Sequence, residues 1–413
     1  MARTGVFHPG RQHSWHTAAA IAEAGELGWY ATAIYYDPER LPYRALRYLP
    51  DRVWGRVRPI FERRASSAIN AASVRHLPAF EWMELALSRL SQRRAARLAN
   101  RIGNDLFQRS VVRLIQREPV DRVWGYDTSA LHVFAHARTQ GIVTVLDQSI
   151  AHMAGLRDQL MVVRERFGPL INAAEIPTSA EIDRCTAEVR SASHIVVGSD
   201  YAARLAIKHG AATGAVHVCP YGYEEANFPQ SYVEPPGIGR LPVHFVFVGN
   251  VSARKGFHLL ADVFGTMPRD RARCTLIGPS TLPDHVLRAH LGNIEYHPAV
   301  PNHELRRYLA TAHCFLFPSL HEGGGIVLYE AAACGLGIIQ SPNCGDGVRN
   351  GRLGPNGIVL EDLSSEALRA AVEEVIGRPE ILRDWSAASW AMREERSWAA
   401  YRDRIAALLP TLN

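Results

Sequence analysis

The chain has 413 residues, of which 47% are hydrophobic and 21% are charged. These fractions are typical of a soluble globular protein, and the length suits two domains better than one. No apolar run reaches the roughly 18 residues that cross a bilayer, and the start of the chain lacks the apolar segment of a secretion signal. None of the six cysteines forms a C-x-x-C pair. We therefore expect a cytoplasmic protein with reduced thiols, neither secreted nor membrane-spanning.

Positive charge is concentrated in the first part of the chain. The net charge is +5 overall, but residues 1–120 contain 19 Arg against 10 acidic residues, a local excess of +9. Such an excess suits a nucleic acid, an anionic membrane surface or a phosphorylated substrate, and a solvated Arg-rich face is the alternative. No basic stripe interleaved with aromatic residues is present, so we expect no nucleic acid partner. Only two of the 46 basic residues are lysines, Lys208 and Lys255, which singles each of them out.

The first half of the chain alternates short apolar runs with helical patterns. A strand over 4–10 leads into a helix that begins at Ser14 and ends at Gly25. Further strands are predicted over 31–37, 121–127, 142–148 and 194–200, and an Arg-rich helical segment covers about 80–117. The alternation indicates βαβ units and a parallel sheet.

The second half shows the same alternation more clearly. Strands are predicted over 244–250, 273–279, 294–300, 314–319, 336–342 and 357–362, with an amphipathic helix in each of the first four gaps and another after the last strand. Residues 224–240 are rich in Pro and Gly and are predicted to be the linker. The fold class is therefore α/β, with two Rossmann-like domains over 1–224 and 225–394. A C-terminal helix, 395–413, is expected to cross back to the first domain.

One segment combines features that suit a diphosphate. After the strand CFLFPS come Glu322, then the glycines 323–325, then a helix that contains Glu330. Open parallel sheets bind ligands beyond the carboxyl ends of their strands, and glycines followed by a helix N-terminus offer N–H groups to phosphate. The two carboxylates can accept hydrogen bonds from sugar hydroxyls.

A second segment, VGNVSARKGFHLL, also runs from a strand end into a helix. Arg254 and Lys255 at its turn are two cations that could neutralise a leaving diphosphate, and capping of a surface turn is the alternative. The chain contains no D-x-D and no H-E-x-x-H motif, so we expect neither a metal site nor a cofactor.

These motifs resemble a known family. The E-x7-E of Glu322 and Glu330, the R-K-G turn at 254–256 and the run CPYGYEEANF at 219–228 are similar to those of the GT-B retaining glycosyltransferases of family four, the glycosyl transferases group 1. The similarity covers residues 195–400 with the blocks in the same order. It implies two Rossmann-like domains that face each other across a nucleotide-sugar cleft, with a C-terminal helix that crosses back to the first domain.

The resemblance also implies roles for individual residues. Glu322, Lys255, Arg254 and His152 are the candidate catalytic residues. The implied donor-binding residues are Gly10, Asn250, Arg254, Lys255, His297, Val300, Glu322, Gly323, Gly324, Gly325, Ile326, Val327 and Glu330. Among them, Lys255 and Arg254 are assigned to the diphosphate, Glu322 to the transferred sugar and Glu330 to the ribose.

The chain departs from the family pattern at two places. Asn250 stands where the family often has Arg, and Arg254 is expected to compensate. Where the family tends to place a His near the sugar, the segment IVTVLDQSIAH offers Asp147, Gln148 and His152 as alternatives. One of His8, His13 and His16 in the first loop is also expected to face the cleft, although a packed helix start is the other interpretation.

The function implied is transfer of a hexose from a UDP- or GDP-linked donor to a surface glycan or lipid-linked acceptor, with retained anomeric configuration and without metal. The Arg-rich region 40–117 is expected to meet an anionic membrane surface, which would place the protein in the cytoplasm or on the inner face of the membrane. The alternatives are a nucleotide-sugar isomerase or epimerase of the same fold, and a non-catalytic partner protein.

Overall fold

The computed structural model describes residues 2–10, 12–33, 35–38, 43–48, 50–62, 69–77, 93–349 and 353–412. Within these ranges the chain forms two seven-stranded sheets, each flanked by helices. The N-terminal part of the predicted helical segment, 80–92, and parts of the Arg-rich region 40–117 lie outside the described residues.

The first sheet is parallel throughout and has the order β3-β2-β1-β4-β5-β6-β7. Its strands are β1 Thr4–Phe7, β2 Leu27–Thr32, β3 Val74–His76, β4 Arg122–Tyr126, β5 Val143–Gln148, β6 His194–Val197 and β7 Val216–Val218. The helices of this domain are α1 Ser14–Glu23, α2 Asp51–Glu62, α3 Arg93–Arg117, α4 Leu131–Thr139, α5 Met153–Phe167, α6 Ser179–Ser191 and α7 Asp200–Lys208.

The second sheet has the order β10-β9-β8-β11-β12-β14-β13, parallel except for the two-residue edge strand β13. Its strands are β8 Val243–Val248, β9 Ala272–Ile277, β10 Glu295–His297, β11 Cys314–Phe317, β12 Gly337–Gln340, β13 Leu353–Gly354 and β14 Gly357–Val359. The helices are α8 Phe257–Phe264, α9 Asp284–Leu291, α10 Asn302–Thr311, α11 Ile326–Ala333, α12 Ser365–Gly377, α13 Ile381–Met392 and α14 Trp398–Leu408.

The two sheets reverse their strand order at corresponding positions. In the first sheet the reversal lies between β1 and β4, and in the second between β8 and β11. The central strands β1 and β11 are buried along their whole length, as expected for sheets covered on both faces. The loops that follow the reversal-point strands form a crevice in each domain, and such crevices are where open α/β sheets bind ligands.

The C-terminal helix α14 crosses back to the first domain, as predicted. Its Tyr401 hydroxyl lies 2.8 Å from Thr17 Oγ1 on α1. The buried Arg122 guanidinium donates to the carbonyl oxygens of Leu409 and Leu412, both at 3.1 Å. These contacts anchor the end of the chain beside β4.

Every predicted strand is present in the structure, but one has different bounds and some short edge strands were not predicted. Strand β2 begins at Leu27 and ends at Thr32, so the prediction over 31–37 is wrong in its bounds, because the neighbouring strand β1 ends opposite Ala31. The three-residue edge strands β3 and β7 are too short to show periodicity in sequence. Among the described residues, no helix combines the length and apolarity needed to cross a membrane.

Candidate functional site

A cavity of about 730 Å³ lies between the two domains. Its walls are the segments at the ends of β1, β5 and β7 in the first domain, the segments at the ends of β8 and β11 in the second, and the start of α14. On the first-domain side the lining residues are Gln12, His13, Trp15, His16, Ser149, Ile150, Tyr221 and Trp398. On the other side they are Val248, Gly249, Asn250, Arg254, Lys255, Phe317, Glu322, Gly323, Gly324, Gly325, Ile326, Val327 and Glu330.

Glu322 is the centre of an ion cluster in this cavity. Its Oε1 accepts from Lys255 Nζ at 2.6 Å, Arg254 NH1 at 3.1 Å and Ser319 Oγ at 2.6 Å. The side chain is buried, and burial opposes ionisation, but Lys255 and Arg254 outweigh it and hold the pKa of Glu322 below its usual value. Glu322 is therefore an ionised carboxylate fixed between two cations.

The turn that carries the two cations requires glycine. Gly256 has φ +80°, and a Cβ there would lie 2.2 Å from the Pro318 carbonyl oxygen. The tight turn brings the segment after β8 against the segment after β11. Lys255 Nζ lies 4.9 Å from the centre of the Phe317 ring, which covers one side of the ammonium group.

The glycine loop packs directly against the first domain. A Cβ on Gly323 would lie 1.9 Å from the Ser149 carbonyl oxygen, and one on Gly324 would lie 2.6 Å from the Tyr221 ring. Gly325 has φ +67° and immediately precedes α11. The first N–H groups of a helix have no partner within it, so the start of α11 offers donors to an anion in the cavity.

Glu330, unlike Glu322, has no cation beside it among the described residues. It lies on α11, partly exposed to the cavity, and no hydrogen bond or ion pair joins it to another described residue. Burial raises the pKa of Glu330 to about 7. A carboxylate without a partner at the cavity wall is suited to accept hydrogen bonds from ligand hydroxyls.

The first-domain wall contains a histidine that the sequence offered only among alternatives. His13 donates from Nε2 to Asp147 Oδ1 at 3.0 Å, and the fully buried Asp147 also accepts from Trp124 Nε1 at 3.3 Å. His16 stacks between two indoles, with ring centres 3.5 Å from Trp15 and 3.9 Å from Trp398. Of the three histidines near Gly10, His13 and His16 line the cavity and His8 does not.

His152 does not reach this cavity. Its Nδ1 accepts from the Ala154 amide at 3.3 Å at the start of α5, its Nε2 lies 3.2 Å from Thr186 Oγ1, and its ring stacks on His209 at 3.9 Å. It is fully buried, and burial lowers its pKa to about 4. These contacts make His152 a helix-capping residue outside the cavity lining, and its catalytic role stays a prediction.

Three other predicted residues also lie apart from the cavity lining that the structure describes. Gly10 packs beside His8, and its carbonyl oxygen accepts from Thr32 Oγ1 at 3.4 Å. His297 pairs with Glu295 at 2.7 Å and contacts the Tyr308 hydroxyl at 3.3 Å. Gly10, His297 and Val300 are not among the residues that line the cavity. In the described ranges, no group of three or more His, Cys, Asp or Glu is arranged to hold a metal ion.

Known proteins resemble this chain in sequence and in fold. Residues 236–390 match the family model of the glycosyl transferases group 1. A subunit of the phosphatidylinositol N-acetylglucosaminyltransferase of Arabidopsis thaliana is 25% identical over 234 residues, 54% of this chain and 47% of that protein. Alpha-maltose-1-phosphate synthase of Mycolicibacterium smegmatis is 28% identical over 182 residues, 38% of this chain and 46% of that protein. The chain thus spans about half the length of these relatives.

Solved structures match over the whole chain. The Anabaena HepE protein in complex with UDP-glucose superimposes with a TM-score of 0.63 at 13% identity, covering 100% of both chains. Sucrose-phosphate synthase of Thermosynechococcus elongatus gives a TM-score of 0.65 at 14% identity, covering 100% of this chain and 99% of that one. The chain has the GT-B fold of two facing Rossmann-like domains, and residues 236–390 form a glycosyl transferases group 1 domain.

Proposed function

We propose that the protein is a glycosyltransferase that moves a hexose from a nucleotide-sugar to a glycan or lipid-linked acceptor. The observation that carries this proposal is the cluster of Glu322, Lys255 and Arg254, set beside the glycine loop in a cavity between two Rossmann-like domains. A cavity of this size can hold a nucleoside diphosphate and one sugar. The match of residues 236–390 to the glycosyl transferases group 1 supports the same activity.

The donor diphosphate is proposed to bind Lys255, Arg254 and the N–H groups at the start of α11. Two fixed cations stabilise negative charge on a departing nucleoside diphosphate, as a metal ion does elsewhere. Glu330 is proposed to accept from the ribose hydroxyls, and Glu322 to contact the transferred sugar. Both carboxylates gain hydrogen-bond donors from the ligand.

The transfer is proposed to retain the anomeric configuration. The bond from the anomeric carbon to the acceptor oxygen forms while the bond to the phosphate oxygen breaks, and the departing phosphate takes the acceptor proton. Among the described lining residues the only carboxylates are Glu322 and Glu330, and both are assigned to ligand binding. No carboxylate nucleophile is therefore invoked.

Release of nucleoside diphosphate from a panel of nucleotide-sugars, with a metal chelator present, tests the proposal. UDP-glucose comes first, because it is present in the HepE complex. We expect slow release from one donor, lost in Glu322→Gln and unchanged in Glu373→Gln. Glu373 is a matched control, since it pairs with Arg271 at 2.7 Å on the surface away from the cavity. Dependence on a divalent metal, or epimerised sugar as the product, would contradict the proposal.

The acceptor is proposed to lie at an anionic membrane surface that the Arg-rich region 40–117 contacts. Within that region Arg44, Arg52 and Arg58 are exposed, as are Tyr48 (77%) and Val53 (44%). Each basic residue near such a surface contributes about 1 kcal/mol, and exposed apolar side chains add to it.

Sedimentation with vesicles of anionic and of neutral lipid tests this contact. The test variant changes Arg44, Arg52 and Arg58 to Gln, and the control changes the same number of exposed arginines in the second domain, Arg269, Arg288 and Arg378. We expect binding to anionic vesicles to be lost in the test variant alone. Equal binding by both variants would refute the membrane contact and leave the transfer reaction unaffected.

A further inference from the structure

The residue before Glu322 belongs to the second domain in sequence, but both of its ring nitrogens contact the first. His321 is fully buried. Its Nδ1 lies 2.9 Å from the Tyr201 hydroxyl on α7, and its Nε2 lies 2.8 Å from the carbonyl oxygen of Ala151, which follows β5. Tyr201 also meets the imidazole edge-on, with ring centres 5.5 Å apart. The imidazole therefore bridges the two domains.

The partners determine which nitrogen of His321 carries the proton. A carbonyl oxygen can only accept, so Nε2 donates to Ala151. Burial lowers the pKa of His321 to about 4, so the ring is neutral at physiological pH and Nδ1 is an acceptor. Tyr201 must then donate its phenolic hydrogen. Every polar atom of the bridge is satisfied, and removal of either partner leaves a buried nitrogen without one.

The bridge is connected to the ion cluster through the backbone. Arg254 NH1 donates to the carbonyl oxygen of His321 at 3.1 Å and to Glu322 Oε1 at 3.1 Å. One guanidinium group thus holds the backbone of His321 and the carboxylate of Glu322 together. On the other side of His321, Leu320 packs in an apolar cluster with Leu156 and Leu160 of α5, so both residues before Glu322 are in contact with the first domain.

We propose that His321 is a positioning residue that fixes the segment carrying Glu322 against the first domain when the two domains are in contact. Separation of the domains breaks both side-chain hydrogen bonds of His321 at once, whereas the bonds from Arg254 to the His321 carbonyl oxygen and to Glu322 stay within the second domain. Donor turnover is then tied to domain closure through this one imidazole. The expected effect on turnover rests on the proposed function. The bridge between the domains rests on geometry alone.

Tyr201→Phe is the most direct test, because it keeps the ring and removes only the hydroxyl that satisfies Nδ1. We expect the turnover number for donor hydrolysis to fall about fivefold to tenfold, the effect of one buried hydrogen bond. The Kd for UDP should change less than about twofold, since Lys255, Arg254 and Glu330 are unchanged. His321→Gln, which can still donate to Ala151, should retain more activity than His321→Ala.

The control is Tyr232→Phe, which removes a hydroxyl 3.0 Å from Ser386 Oγ in the second domain and should leave turnover unchanged. A second measurement needs no activity: the radius of gyration by small-angle scattering should increase in Tyr201→Phe and not in Tyr232→Phe. Unchanged turnover and an unchanged radius of gyration would overturn the inference. A wild-type protein that hydrolyses no donor would instead count against the proposed function, and the scattering comparison would still decide the role of His321.

Discussion

The two walls of the cleft are built in different ways. The wall of the second domain is charged and comes from two short segments, 248–255 and 317–330. The wall of the first domain is largely aromatic, and its residues come from four distant parts of the chain, represented by His13, Ser149, Tyr221 and Trp398. The first wall offers cations and helix N–H groups to an anion, and the second offers mainly ring faces.

The charged wall itself contains two carboxylates with opposite behaviour. Glu322 is ionised because Lys255 and Arg254 outweigh the cost of burial, and its pKa is lowered. Glu330 is eight residues further along, lacks a cation, and has a pKa raised by burial to about 7. The comparison shows that two carboxyl groups of one sequence motif can have pKa values shifted in opposite directions.

Removal of the Lys255 ammonium group should have the largest effect on the charged wall. Lys255→Gln leaves Glu322 and the donor diphosphate with Arg254 alone, so we expect donor turnover to fall about 100-fold, the scale for loss of one preorganised charge. The chain provides a matched control, because the other lysine, Lys208, is exposed on α7. Steady-state release of nucleoside diphosphate measures both variants, and equal activity would refute the role of the cation.

Asp147→Asn should show that the aromatic wall contributes stability more than diphosphate affinity. Both His13 Nε2 and Trp124 Nε1 donate to this buried carboxylate, so an amide places a donor against one of them. We expect the free energy of unfolding to fall by about 1–3 kcal/mol, measured by chemical denaturation. Calorimetry should find UDP affinity within about twofold of wild type. A tenfold loss of affinity would mean that both walls hold the diphosphate.

Glu330→Gln should change stability in a pH-dependent way. The folded protein holds the Glu330 proton more tightly than the unfolded chain, because burial raises the pKa from its ordinary 4.5 to about 7. Ionisation therefore costs stability as pH rises through this window, and glutamine avoids that cost. We expect the Tm of the variant to exceed that of wild type by about 2 °C or more at pH 8 and to match it near pH 4.5. A Tm difference that is independent of pH would contradict the assignment.

Trp398→Leu should have the smallest effect. It removes the stack on His16 at 3.9 Å and the edge contact with Tyr401 at 5.4 Å, while α14 keeps its other contacts. We expect a loss of about 1 kcal/mol in the free energy of unfolding, measured by urea denaturation. Trp390→Leu is the control for loss of an indole outside the cavity, where the ring contacts Arg393.

The sequence by itself determined the architecture and the charged wall. Period-2 and period-3.6 patterns are local, so most strands and helices were predicted within a few residues, and the motifs around Lys255 and Glu322 were contiguous enough to read directly. The roles assigned to these residues in binding and transfer stay predictions. His297 and Val300 were assigned to the donor by resemblance, and the structure leaves them outside the cavity lining.

Only the tertiary structure decided the other wall and the protonation states. The end of β5 and the residues after it offered Asp147, Gln148 and His152 as alternatives, and in the fold Asp147 accepts from His13 while His152 caps α5. Likewise, Glu322 and Glu330 are the same residue type in one motif. The cations packed against Glu322 lower its pKa, whereas burial raises the pKa of Glu330. Contacts between residues more than a hundred positions apart depend on tertiary arrangement, and no local pattern encodes it. His13 meets Asp147 because of the strand order within the first sheet, and Tyr201 meets His321 because of how the two domains pack.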